Sequence, residues 1–226
     1  MKSKPTVIVD ACSYTFLNLP LSAARGLNLW EMLQQHTTPT WSPEVVAEIN
    51  QAPNSKPQAA LQLHNKVYKF KKMSVEDYEQ KLFGRVLQQE DGDKGERDNF
   101  AVGLDMFFEG HFGLIYLSDD KNIDLQERLF PAFPLFQVWD SFDAIVFLYL
   151  KGNKSNFPKS AALDAIQDLV AHFRKQAFHP IEVEFQKGLL PREMLDERKN
   201  KMSEAFHKKK ALYSSRIELI FNFLKN

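Results

Sequence analysis

The run Thr6-Val7-Ile8-Val9-Asp10 decides the fold. Four β-branched residues in succession, with no polar alternation, read as a strand buried on both faces, the pattern of a parallel sheet covered by helices. Asp10 then stands at the strand's C-terminal end, where open α/β sheets hold their ligands. Ser13 reads as the cap of a helix over residues 14–18, which Pro20 ends. The pattern recurs in Leu114-Ile115-Tyr116-Leu117-Ser118, a second buried strand that delivers Asp119 and Asp120, and Leu135–Trp139 reads as a third strand.

Between these strands lie helices. In Thr40-Trp41-Ser42-Pro43-Glu44-Val45-Val46-Ala47-Glu48, Ser42 is a good N-cap and Pro43 a favourable first helical residue, so Glu48 falls in the second turn. Residues 51–58 (QAPNSKPQ) break that helix. Val67–Phe70 reads as a short strand, and Val75–Gln89 as a helix with Val75, Tyr78, Leu82 and Val86 on one side. Glu90–Glu96 reads as a turn in which Asp93 and Glu96 have capping-box spacing, opening a helix to about Glu109. The alternation predicts an α/β fold with a mostly parallel sheet over residues 1–150. Lys151–Pro158 reads as a linker. A helical C-terminal extension, residues 151–226, follows it with helices over 160–176 and 191–225 and one strand-like run, Ile181–Phe185.

Composition narrows the class. The chain of 226 residues is 44% hydrophobic and has 29 basic against 29 acidic residues, which argues against a protein that wraps nucleic acid by charge alone. No apolar run reaches the length of a membrane span, and the apolar stretch near the start is too short for a signal peptide. One cysteine, Cys12, permits no internal disulfide, reads as a small buried apolar residue and fits a reducing, cytoplasmic setting. The basic run Arg198, Lys199, Lys201, Lys208, Lys209 and Lys210 reads as a solvated helix face, with contact to RNA as the alternative.

Four acids stand at element edges: Asp10 and Asp120 after strands, Glu48 in a helix and Glu96 at a helix start. A parallel sheet brings both strand ends to one edge, so the four can converge. Two carboxylates about 5 Å apart repel by roughly 3 kcal/mol at an effective dielectric of about 20. Such a cluster therefore takes up protons or a hard cation, and Mg²⁺ or Mn²⁺ suits an all-carboxylate set. The six histidines and single cysteine have no zinc spacing, and no phosphate-binding glycine loop is present. Asp98 reads as a surface residue or first-turn dipole partner. Asp140 and Asp143 follow a strand end near the same edge, where a second-metal or supporting role is open to them.

At these residues the chain resembles a known family. V-I-V-D-A-C-S, S-P-E-V-V-A-E-I, G-D-K-G-E-R-D and L-I-Y-L-S-D-D-K are similar, in order and spacing, to the motifs of PIN-domain nucleases, which include the toxin ribonucleases of VapC-type modules. The likeness covers residues 5 to about 145. It implies a three-layer α/β/α Rossmann-like domain and Mg²⁺- or Mn²⁺-dependent cleavage of single-stranded RNA that leaves a 5′-phosphate. It also implies Asp10, Glu48, Glu96 and Asp120 as catalytic acids and metal ligands, with Asp119 as a further ligand. Ser13 matches a hydroxyl that steadies the site. Lys94, Arg97 and Lys121 are candidates to meet phosphate. DNA as a substrate, a protein antitoxin or regulator as a partner, and a homodimer are all compatible with it. The alternative is a catalytically inactive PIN-fold module whose helical tail binds a protein. A dehalogenase-like phosphatase is excluded, because its second acid would stand at position 12, which is Cys12.

Overall fold

The computed structural model describes residues 4–18, 28–51, 67–72, 74, 77, 94–120, 136–152 and 156–225. Within it β1 (Thr6–Val9) runs parallel to β2 (Thr38–Thr40), which pairs Val7 with Pro39. On its other side β1 runs parallel to β3 (Leu114–Leu117), pairing Ile8 with Tyr116. β4 (Phe136–Trp139) adds to β3 in the same direction, giving the order β2-β1-β3-β4. The fold among the described residues is therefore mixed α/β, with a four-stranded parallel sheet and seven helices.

Both faces of the central strand are buried, as its unbroken apolar run requires. Val7 and Val9 on one face and Ile8 on the other have no exposed surface. On the Ile8 side, Phe100, Val102 and Met106 of the helix Lys94–Phe108 pack with Tyr116 and Phe136. Gly103 lets that helix approach the sheet, because a methyl there would overlap the Phe136 ring.

In chain order the helices are α1 (Ala11–Leu17), α2 (Leu29–His36), α3 (Pro43–Gln51), α4 (Lys94–Phe108), α5 (Ser141–Lys151), α6 (Lys159–Gln186) and α7 (Arg192–Lys225). Ser42 caps α3 as its position predicts, its Oγ accepting the Val45 N–H at 3.3 Å. Buried Asp105 of α4 accepts hydrogen bonds from the Tyr68 hydroxyl and from the Lys71 and Lys72 N–H groups, fixing residues 68–72 on that helix.

The chain divides into two compact units, Met1–Asn18 with Leu33–Ser141, and Leu19–Met32 with Phe142–Asn226. In the second, α6 and α7 form the main contact, Phe142 stacks on Phe173 and Tyr213, and Ile181, Leu190 and Leu195 make a separate small core.

Several local expectations are corrected. α1 starts at Ala11 with Asp10 as its N-cap, so Ser13 lies inside the helix rather than capping it. Ile181–Phe185 is helical, since α6 continues through Pro180 to Gln186. Val67 makes a single parallel bridge to Trp41, and no strand forms over 68–70. Residues 94–96, read as turn, are the first turn of α4. Phe157, read as linker, is fully buried. β2 and α5 were not predicted from the sequence. The helix expected over 75–89, Pro20, and the Asp93 half of the capping box lie outside the described residues, apart from Asp77.

Candidate active site

The sheet order places the ends of β1 and β3 side by side with their connections leaving in opposite directions, the crevice in which open α/β sheets bind ligands. Asp10 and Ser118 meet there. The Asp10 N–H donates to the Leu117 carbonyl at 3.0 Å, so the pairing runs one residue past the strands. The Asp10 carboxylate is buried and aimed by three donors: the Ala11 N–H on Oδ1 at 2.7 Å, and on Oδ2 the Ser118 hydroxyl at 3.0 Å and the Cys12 thiol at 2.7 Å.

Burial nonetheless raises the proton affinity of Asp10 above the usual carboxylate range. The Cys12, Ser118 and Ala11 bonds oppose that shift, and the negative charge of Asp120 adds to it. Glu48 reaches the same region from α3. Its carboxyl is raised by partial burial, then by the charges of Asp10, Glu44 and Asp98. A Cβ built on Gly95 would stand 2.7 Å from Glu48 Oε1, so the carboxyl of α3 lies against the first turn of α4. That turn also carries Glu96, whose charge acts on the Tyr116 phenol together with that of Asp10.

Asp119 has a different setting. Its Oδ2 accepts from the Ser13 hydroxyl at 2.7 Å and from the Ser141 hydroxyl, and its Oδ1 accepts from the Ser141 N–H at 3.1 Å. One carboxylate thus ties the end of β3 to α1 and to the start of α5. Burial raises its proton affinity as well, against the two serines. Asp120 follows, its N–H held by Ser118 Oγ at 3.2 Å.

The structure therefore brings Asp10 within electrostatic reach of Glu48 and of Asp120, and sets Asp119 and Ser13 in an adjoining network. Arg97 is half-buried on α4, with its Nε enclosed and without a hydrogen bond. The Lys94 side chain and all of Lys121 lie outside the described residues. Asp143 belongs to the second unit, where Arg216 holds it at 3.1 Å. Among the described residues no three acid, histidine or cysteine side chains stand close enough to close a shell around a metal ion.

Two expectations change. Asp98, read as a surface residue, is buried and accepts the Glu44 N–H at 3.3 Å, at the start of α3. Cys12, read as a small buried apolar residue, is half-buried and donates to Asp10. The basic run of α7 is partly to fully exposed, in keeping with a solvated face, and four of its six side chains are engaged within their own unit: Arg198 with Glu184, Lys199 with Glu182, Lys210 with Gln167, and Lys209 over the Phe142 ring. The signals missed were Ser118, a hydroxyl two residues from Asp120, and Ser141, first in a helix that sequence reading did not find.

No family model, curated protein or solved structure matches this chain. Among the described residues, no helix is long and apolar enough to cross a membrane.

Proposed function

We propose that the chain is a metal-dependent endoribonuclease of the PIN type, with a three-layer α/β/α domain that cleaves single-stranded RNA. The observation that carries this reading is the buried Asp10 carboxylate at the end of β1, which feels the Asp120 charge and whose own charge acts on Glu48 of α3. Neighbouring carboxylates that raise one another's proton affinity favour a hard cation, so these residues fit Mg²⁺ or Mn²⁺ in charge and donor type. Asp10, Glu48, Asp120 and Glu96 of the first turn of α4 are the candidate ligands, and they would have to draw closer than their described positions to share one ion. Such an ion would polarise a phosphodiester and lower the pKa of a coordinated water.

The chain's own groups supply the rest. The Ser118 hydroxyl and the Cys12 thiol on Oδ2, with the Ala11 N–H on Oδ1, orient the Asp10 carboxylate. Asp119 fixes α1 against β3 through Ser13, which keeps Asp10 at the strand end. Arg97 and Lys94, on the helix that bears Glu96, are suited to meet the phosphate backbone.

A second reading, an inactive PIN-fold module that binds a protein, is favoured by one observation: the Asp119 carboxylate already accepts three internal hydrogen bonds. One experiment separates the two. With Mn²⁺ the wild-type protein should cleave single-stranded RNA, and Asp10→Asn should abolish cleavage while remaining folded. Cleavage that survives in Asp10→Asn rejects the site. Neither cleavage nor Mn²⁺-induced stabilisation in the wild type leaves the binding module.

A further inference from the structure

Asn99 has no exposed surface, yet its side chain bonds the backbone of both β1 and the cap of α3. Its Nδ2 donates to the Val9 carbonyl at 3.4 Å, one residue before Asp10. Its Oδ1 accepts the Ser42 N–H at 3.4 Å, at the cap of the helix that carries Glu48. Asn99 itself sits on α4 three positions after Glu96, so one buried amide connects the three segments that carry three of the acids. Both bonds are long, and a third polar group stands beside them. The Tyr116 hydroxyl is fully buried next to the Asn99 amide, among Phe100 and Phe136, and makes no hydrogen bond of ordinary geometry.

A buried hydroxyl left without a partner is costly, and native interiors rarely keep one. The Asn99 amide lowers the proton affinity of the Tyr116 phenol against the effect of burial, as an N–H directed at its oxygen does.

We propose that Asn99, backed by the Tyr116 hydroxyl, is a positioning residue that sets the spacing of the Asp10, Glu48 and Glu96 carboxyls. It touches no reacting atom. Its effect on cleavage rests on the function proposed above, whereas its effect on spacing does not, and the test keeps them apart. Where like charges are held close, neutralising one relieves repulsion, so Glu48→Gln should raise the melting temperature of the metal-free wild type at neutral pH.

In Asn99→Leu, which keeps size but drops both bonds, that gain should shrink markedly because the carboxyls drift apart. Tyr116→Phe removes only the hydroxyl and guards against an Asn99→Leu protein that does not fold. It should reduce the Glu48→Gln gain in the same direction, by less. Additive behaviour in both backgrounds overturns the proposal whether or not the protein is a nuclease. If wild type cleaves RNA, Asn99→Leu should lower kcat by up to roughly 100-fold, the scale of an ångström-level misplacement, with KM for RNA little changed. A change in KM alone, or a fall in melting temperature with kcat intact, would assign Asn99 to packing and overturn it.

Discussion

At the scale of single residues, Asp10 combines an unfavourable charge with a fixed position. Its folded proton affinity lies above the ordinary carboxylate value of 3.8, chiefly through burial. An acid shifted this way binds protons more tightly in the folded state. Its penalty is absent well below that ordinary value and develops as pH rises through the folded pKa. Metal-free Asp10→Asn should therefore melt higher than wild type at pH 7 and near wild type at pH 3. A lead that stays constant with pH would assign the effect to packing rather than to charge. Cys12 gives a second check. Burial first, then the Asp10 charge, keeps its thiol well above the usual range, so it is a donor and not a nucleophile. Native protein should resist iodoacetamide at pH 8 and react once unfolded; rapid native alkylation would remove the Cys12–Asp10 bond from the description of the site.

At the scale of elements, the contact between α3 and α4 is where the site is most easily disturbed without unfolding the protein. Gly95 lies in the first turn of α4 against Glu48 Oε1. Alanine there gains helix propensity, up to about 1 kcal/mol, while displacing the flexible end of Glu48. Gly95→Ala should thus melt at or slightly above wild type and lose about tenfold or more in Mn²⁺-dependent cleavage. Wild-type cleavage in this variant would separate Glu48 from the chemistry.

Element scale is also where sequence reading succeeded and failed. β1, β3 and the Ser42 cap were legible because a doubly buried strand leaves an unbroken β-branched run and a helix start needs a side-chain acceptor. β2 was not, being three residues with Pro39 at their centre, tolerated because β2 lies at the sheet's edge. Ile181–Phe185 misled because apolar alternation in a short run does not separate strand from helix, and the run lies inside a helix of 28 residues that continues through Pro180. The acids themselves were legible as strand-end and helix-start residues. The Asp119 network was not, since its partners Ser13 and Ser141 lie 106 and 22 positions away and only tertiary structure brings them together.

At the scale of the whole molecule, the balanced charge of the sequence conceals a local excess of negative charge at one sheet edge. A cation bound only by the folded state stabilises it by about 2.7 kcal/mol at one hundred times its dissociation constant. Mn²⁺ should therefore raise the melting temperature, and more at pH 7 than at pH 5, because protons on Asp10 and Glu48 compete with it. Equal shifts at both pH values would place the ion elsewhere.

The β1–β3 pairing also governs when this edge exists during synthesis. Asp10 and the Ser118 hydroxyl that aims it lie 108 positions apart, with β2 on the far side of β1. No hairpin can bring them together early, because parallel neighbours require the whole intervening chain. A nascent chain that stops short of β3 carries Asp10 with no seam to hold it. Any activity of the crevice is thus withheld until roughly half of the polypeptide has been made, a delay written into strand order alone.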